Sequence, residues 1–183
     1  MAIHPSTTSL LHESLPEFLQ AAAHCISFSK GVGWPAQQKG GCLGYPGAGL
    51  LFCIADTIGS YHERREGFTV KIDGKERSID TDGYQHLFIL NSPLYNQDLT
   101  EAHIKKLYSN YRNLLLHNSA LADNNFLFLG EAPGDPFHIE NGTPHVNVAG
   151  FLRVSQAAVS AFLSRASAVV PGSHQESIIE KKK

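Results

Sequence analysis

The sequence predicts a mainly α fold, a helical bundle of about four to five helices with one or two inserted β-hairpins. Three observations predict it. Apolar residues recur at helical spacing over several long stretches. The period changes to two around Asp73-Gly74 and Asn141-Gly142, both strong hairpin dipeptides. The chain has 183 residues, 42% of them hydrophobic and 17% charged, which suits one domain with a sizeable core.

The elements follow in order. Residues 1–13 are expected as a flexible leader, 14–170 as a single domain and 171–183 as a flexible tail. Ser14-Leu15-Pro16-Glu17 reads as a capping box with Pro in the first turn. Phe18 to about Ser29 then reads as helix. Residues 30–49 are dense in Gly and Pro and read as a loop. A second helix is expected from about Ala48 to His62, with Leu50, Leu51, Ile54, Ile58 and Tyr61 on one face. Phe68–Ile72 and Lys75–Ile79 flank Asp73-Gly74 as a hairpin. Residues 83–91 read as a short helix that Pro93 ends. Asp98-Leu99-Thr100-Glu101 opens the clearest helix, which lasts to about His117 with a stripe of Ile104, Leu107, Tyr108, Tyr111, Leu114 and Leu115. A short strand follows at 126–129, then a hairpin whose strands flank Asn141-Gly142. The last helix spans about Gly150 to Ala168, and Pro171-Gly172 stops it.

Composition removes several function classes. Net charge is −2, which argues against coating duplex DNA by bulk electrostatics. No run approaches the roughly 20 apolar residues of a membrane helix. The N-terminus shows no basic segment followed by a long apolar run, so no signal peptide is expected. Cys25, Cys42 and Cys53 are odd in number and form no CxxC, so they read as free thiols in a reducing, cytoplasmic setting.

The sharpest chemical feature is Arg112-Asn113-Leu114-Leu115-Leu116-His117, near the end of the best helix. At about 100° per residue, Asn110, Asn113 and His117 fall opposite the core stripe. Arg112 lies on the flank, roughly 140° from His117. Asp56, on the polar side of the second helix, either joins the Arg112 site or faces water. Histidine suits general acid or general base work near neutral pH. Arginine can stabilise a phosphate's growing charge with a fixed fork of donors.

The segment Leu107–Asn118 resembles the motif helix of the HEPN superfamily, and residues 14–168 resemble its helix-rich frame in outline. The resemblance implies a metal-independent endoribonuclease, without cofactor, whose Arg and His meet those of a second copy in a homodimer. His117 would be the acid or base, Arg112 the charge stabiliser and Asn113 an orienting residue. Asn110, Lys106 and Asp56 would contact the RNA, and the product would end in a 2′,3′-cyclic phosphate. It also implies a toxin- or defence-associated role, with an antitoxin or a nucleotidyltransferase-type protein as partner. Some members are silent binding or regulatory modules, which is the second expectation.

Two further features compete for function. A two-residue turn at Asn141-Gly142 sets His138 opposite His145, a pair that can hold a metal with Glu131 or Asp135 as third ligand. The Gly-rich stretch 40–49 precedes a helix, as phosphate loops do, but lacks their GK[ST] ending.

Overall fold

The first helix starts well ahead of the Ser14–Glu17 capping box. In the computed structural model, which describes residues 4–81, 83–118, 120–129 and 134–181, helix α1 runs Thr7–Ser27. Its N-cap is Ser6, whose Oγ accepts the Ser9 N–H at 3.1 Å. Half of the expected leader is therefore helical. The reason is burial, since Thr7, Leu11, Leu15 and Ala22 form one buried stripe through both halves of the helix. Pro16 sits inside the helix rather than in its first turn, where it removes one intrahelical hydrogen bond.

Helix α2, Gly44–Tyr61, also starts earlier than expected, because Gly47 marks close packing rather than a loop. A Cβ on Gly47 would stand 3.2 Å from Ile26 Cγ1 and 3.4 Å from Cys25 Cβ, both on α1. Pro46 lies in the first turn, where its missing N–H costs nothing. Ala48, Leu51, Phe52, Ile54, Ala55, Ile58 and Tyr61 are buried, so α2 is covered on most of its circumference and forms the centre of the bundle.

Strands β1 (Val70–Ile72) and β2 (Lys75–Arg77) form the first hairpin, antiparallel in register Val70↔Arg77. Asp73 and Gly74 take the positive φ that its turn requires. Gly83–Asn91 is then a 3₁₀ helix, long for a geometry that rarely exceeds four residues. It lies on α2, and Leu87, Phe88, Ile89 and Leu90 are fully buried.

The motif helix has three parts. Helix α3 is Glu101–Leu107, capped by Thr100; a π turn spans Tyr108–Asn113; helix α4 is Leu114–Asn118. The stripe explains the π turn. Leu107, Tyr111 and Leu115 are buried and spaced four apart. Steps of four drift by about 40° each on a 3.6-residue helix, and the looser π winding reduces that drift. Tyr111, fully buried, donates its hydroxyl to the Pro144 carbonyl at 2.8 Å.

Strand β3 is Leu127–Phe128, β4 is Phe137–Glu140 and β5 is Thr143–Asn147. The order is β3-β5-β4, with β3 parallel to β5 and β4 antiparallel to it. Helix α5, Val148–Leu163, follows at once, capped by Asn147, and packs on α1 and α2. Phe151 meets Phe52 at 5.0 Å and Phe137 at 5.1 Å between ring centroids, tying helices and sheet together. Helix α6 is Ala166–Val169. The expected tail carries α7, His174–Glu180. Its start was legible: Ser173 Oγ accepts the Glu176 N–H at 3.1 Å, and Glu176 Oε2 accepts the Gly172 N–H at 2.7 Å, a variant of the capping box.

Helices account for 56% of the described residues, which bears out a mainly α chain with small β additions. Among the described residues no helix is long and apolar enough to cross a membrane. All three cysteines are free and half-buried.

Candidate functional site

Of the two alternatives for Asp56, the structure shows the one in which it joins Arg112. The π turn changes the helical phase on which the 100° reading depends, and the Arg112 side chain reaches α2. Its Nη2 donates to Asp56 Oδ2 at 2.8 Å and its Nη1 to Asn113 Oδ1 at 3.1 Å. The guanidinium carbon stands 5.3 Å from the centre of the Tyr108 ring. Tyr108 is placed by a small residue, because a Cβ on Gly83 would stand 2.5 Å from its hydroxyl. Arg112 Nε is buried with no hydrogen-bond partner.

Behind Asp56 the charges continue. His86 Nδ1 is 3.3 Å from Asp56 Oδ1, and His86 Nε2 is 3.2 Å from Glu63 Oε2. His174 Nδ1 on α7 is 2.9 Å from Glu63 Oε1, off the line of a hydrogen bond. The series Arg112, Asp56, His86, Glu63, His174 therefore sets each carboxylate between two basic side chains and draws on four stretches of chain: α2 with the turn after it, the 3₁₀ segment, the π turn and α7. Glu63 keeps only 4% of its side chain exposed and His86 17%, so these groups interact through little solvent.

The directions in which His86, Asp56, Arg112 and Cys53 shift follow from burial and neighbours. Burial opposes a charge on His86, but hydrogen bonds and charge from Asp56, then Glu63, outweigh it and raise its pKa. Burial pushes Asp56 up, while hydrogen bonds from His86 and Arg112 and their charges bring it below its ordinary value. Arg112 is disfavoured by burial and more strongly favoured by Asp56, so its pKa rises. Cys53, beside them, is raised by burial and by Asp56 against the pull of Arg112. His62 is a nearby contrast. Burial lowers its pKa, its Nδ1 sits 2.9 Å from the Ile58 carbonyl and its ring packs on Phe68 at 4.2 Å.

The sequence-predicted residues thus separate. Arg112, Asn113 and Asp56 come together. His117 is exposed at the end of α4, with no hydrogen-bond or ion-pair partner among the described residues. Asn110 turns to the loop before β3, donating to Asn125 Oδ1 at 3.4 Å. Lys106 donates to the Gly142 carbonyl at 2.7 Å, so it holds the second hairpin's turn instead of joining Arg112. Glu63, His86, His174 and Tyr108 were missed. Asp56 and Glu63 are seven apart, about two helical turns, the one signal that could have paired them.

The histidine hairpin has the expected register, His138↔His145. The two rings differ, since His138 is exposed while His145 is buried, packs on Phe126 at 5.3 Å and lies 3.8 Å from Glu140. Among the described residues no group of three His, Cys, Asp or Glu stands close enough to hold a metal; Glu131 lies outside the described residues. The Gly-rich stretch borders a half-open cavity of about 380 Å³ between Lys30, Tyr45, Leu121 and Phe126. No family model, no curated protein and no solved structure matches the chain.

Proposed function

We propose that the chain is a HEPN-like bundle acting as a metal-independent endoribonuclease, its site completed by a second copy in a homodimer. The observation that carries this reading is the unlike treatment of the two motif residues. Arg112 is held by Asp56 and Asn113, while His117, about 7 Å further along the helix axis, is exposed. A fixed cation and an exposed imidazole on one helix are the two groups that phosphate transesterification needs.

In this reading one His117 removes the 2′-hydroxyl proton and the oxygen attacks the adjacent phosphorus. The second copy's equivalent histidine gives a proton to the departing 5′-oxygen. Arg112 stabilises the charge on the non-bridging oxygens with the N–H groups that Asp56 and Asn113 do not use. The products are a 2′,3′-cyclic phosphate and a 5′-hydroxyl. No metal is required, since the histidines handle both protons.

The test is incubation of a mixed RNA pool in excess chelator with wild type, His117→Ala and Arg112→Ala, folding checked by circular dichroism. Cleavage by wild type with cyclic-phosphate ends, reduced by about 10²–10⁴ in His117→Ala, is expected. One observation favours a second reading, a silent RNA-binding module: both terminal nitrogens of Arg112 already donate within the chain. A folded dimer that binds RNA without cutting it would select that reading.

A further inference from the structure

We propose that His86 is the positioning residue of the Arg112 site: its ring, clamped between Asp56 and Glu63, orients the carboxylate against which Arg112 is aimed. The inference rests on the reading of Arg112 as the functional cation, but its geometry stands apart from any activity.

Asp56 has two oxygens and both are engaged, Oδ2 by Arg112 at 2.8 Å and Oδ1 by His86 at 3.3 Å. An aspartate held at one oxygen can still rotate about its terminal torsion. Held at both, its plane is fixed, and so is the direction in which it pulls the guanidinium. His86 is fixed in turn by Glu63 on its other nitrogen. A carboxylate oxygen at each ring nitrogen, 3.3 Å from Nδ1 and 3.2 Å from Nε2, favours the protonated ring over the neutral one. Its raised pKa agrees with that state.

The backbone is built to bring His86 there. The 3₁₀ segment approaches α2 so closely that a Cβ on Gly59 would overlap the His86 carbonyl. One end of the segment is anchored as the Asp80 N–H donates to Gln85 Oε1 at 3.1 Å. The far end is tied by Asn91, which accepts the Leu99 N–H at 3.0 Å and donates to the Leu99 carbonyl at 2.7 Å. The titratable and charged groups around His86 come from three directions: Asp56 with Arg112 and Cys53 behind it on one side, Glu63 on the other, and His174 of α7 on the outer oxygen of Glu63. A ring that only filled space would not need opposite charge at both nitrogens.

The experiment is nuclear magnetic resonance of the full chain, following the His86 ring and the Arg112 Nε–Hε signal across pH. The expected result is one shared inflection, with the Arg112 signal moving at the pH where the His86 ring loses its proton. In His86→Gln, and separately in Glu63→Gln, the Arg112 signal is expected to shift and to lose that inflection. RNA affinity of His86→Gln should fall about tenfold, the size of a coupling between neighbours in one network. An Arg112 signal that stays flat while His86 titrates in wild type overturns the proposal, and that result needs no variant to fold. The ribonuclease reading is judged separately: coupled titration in a protein that never cuts RNA keeps this inference and removes that one.

Discussion

Arg112 and His117 sit five residues apart on one helix, and the chain treats them in opposite ways. Arg112 is enclosed by α2, the π turn and the 3₁₀ segment, and its neighbours extend through His86 and Glu63 to α7. His117 projects from the end of α4, where Leu116 beside it is also 40% exposed. Asp56 and Asn113 fix the direction of the Arg112 guanidinium, whereas among the described residues nothing orients the His117 ring. In the ribonuclease reading proposed above, that contrast is what a charge stabiliser held by the fold and an acid/base group completed by a second copy would show.

The comparison is broken or sharpened by asking what each half contributes to stability. The largest effect is expected for Asp56→Ala. It strands Arg112 and His86, a loss of about 2–4 kcal/mol, below the upper range for buried pairs because both side chains keep some solvent. His117→Ala should lie within about 0.5 kcal/mol of wild type, as surface substitutions do. Urea unfolding of the two variants measures the contrast, and equal losses would show that the two residues are held alike.

A second, smaller effect is expected for Gly59→Ala. Its Cβ overlaps the His86 carbonyl, and overpacking of this kind costs about 1–3 kcal/mol. The helical propensity gained, up to about 1 kcal/mol, works against that loss. A variant as stable as wild type would mean that the 3₁₀ segment retreats from α2 at no cost. In that case the Arg112 Nε–Hε signal should move.

The smallest effect is in the pH profile of stability. The pKa of His86 is raised on folding, so its contribution is complete below the ordinary histidine value of 6.5 and is lost as pH rises through the raised value. That of Asp56 is lowered, so its contribution is present above 3.8 and is lost as pH falls through the lowered value. The cluster therefore contributes most between 3.8 and 6.5. His62 acts oppositely, because its lowered pKa costs stability as pH falls through 6.5. The stability difference between wild type and His86→Gln, measured by urea unfolding at several pH values, removes the His62 contribution. It should shrink as pH rises above neutrality. A constant difference would show that His86 acts by shape alone.

What the sequence determined by itself is what short-range rules control. Helical periodicity located α2, the motif helix and α5. Asp73-Gly74 and Asn141-Gly142 set both hairpins, down to the register of His138 with His145, because a two-residue turn leaves one register open. Those same rules stopped short at residues 44–49, where Gly47 serves a close approach to α1 that only the packed helices reveal. They also do not reach the π turn, because a constant rotation per residue does not describe a stripe that needs looser winding. The tertiary structure alone decided the site. Asp56, Glu63, His86, Arg112 and His174 are drawn from positions spread over more than a hundred residues. A charge carries no local preference that names its partner. Only the burial of α2 beneath the 3₁₀ segment, the π turn and α7 sets these groups side by side, where low solvent exposure makes each opposite charge matter.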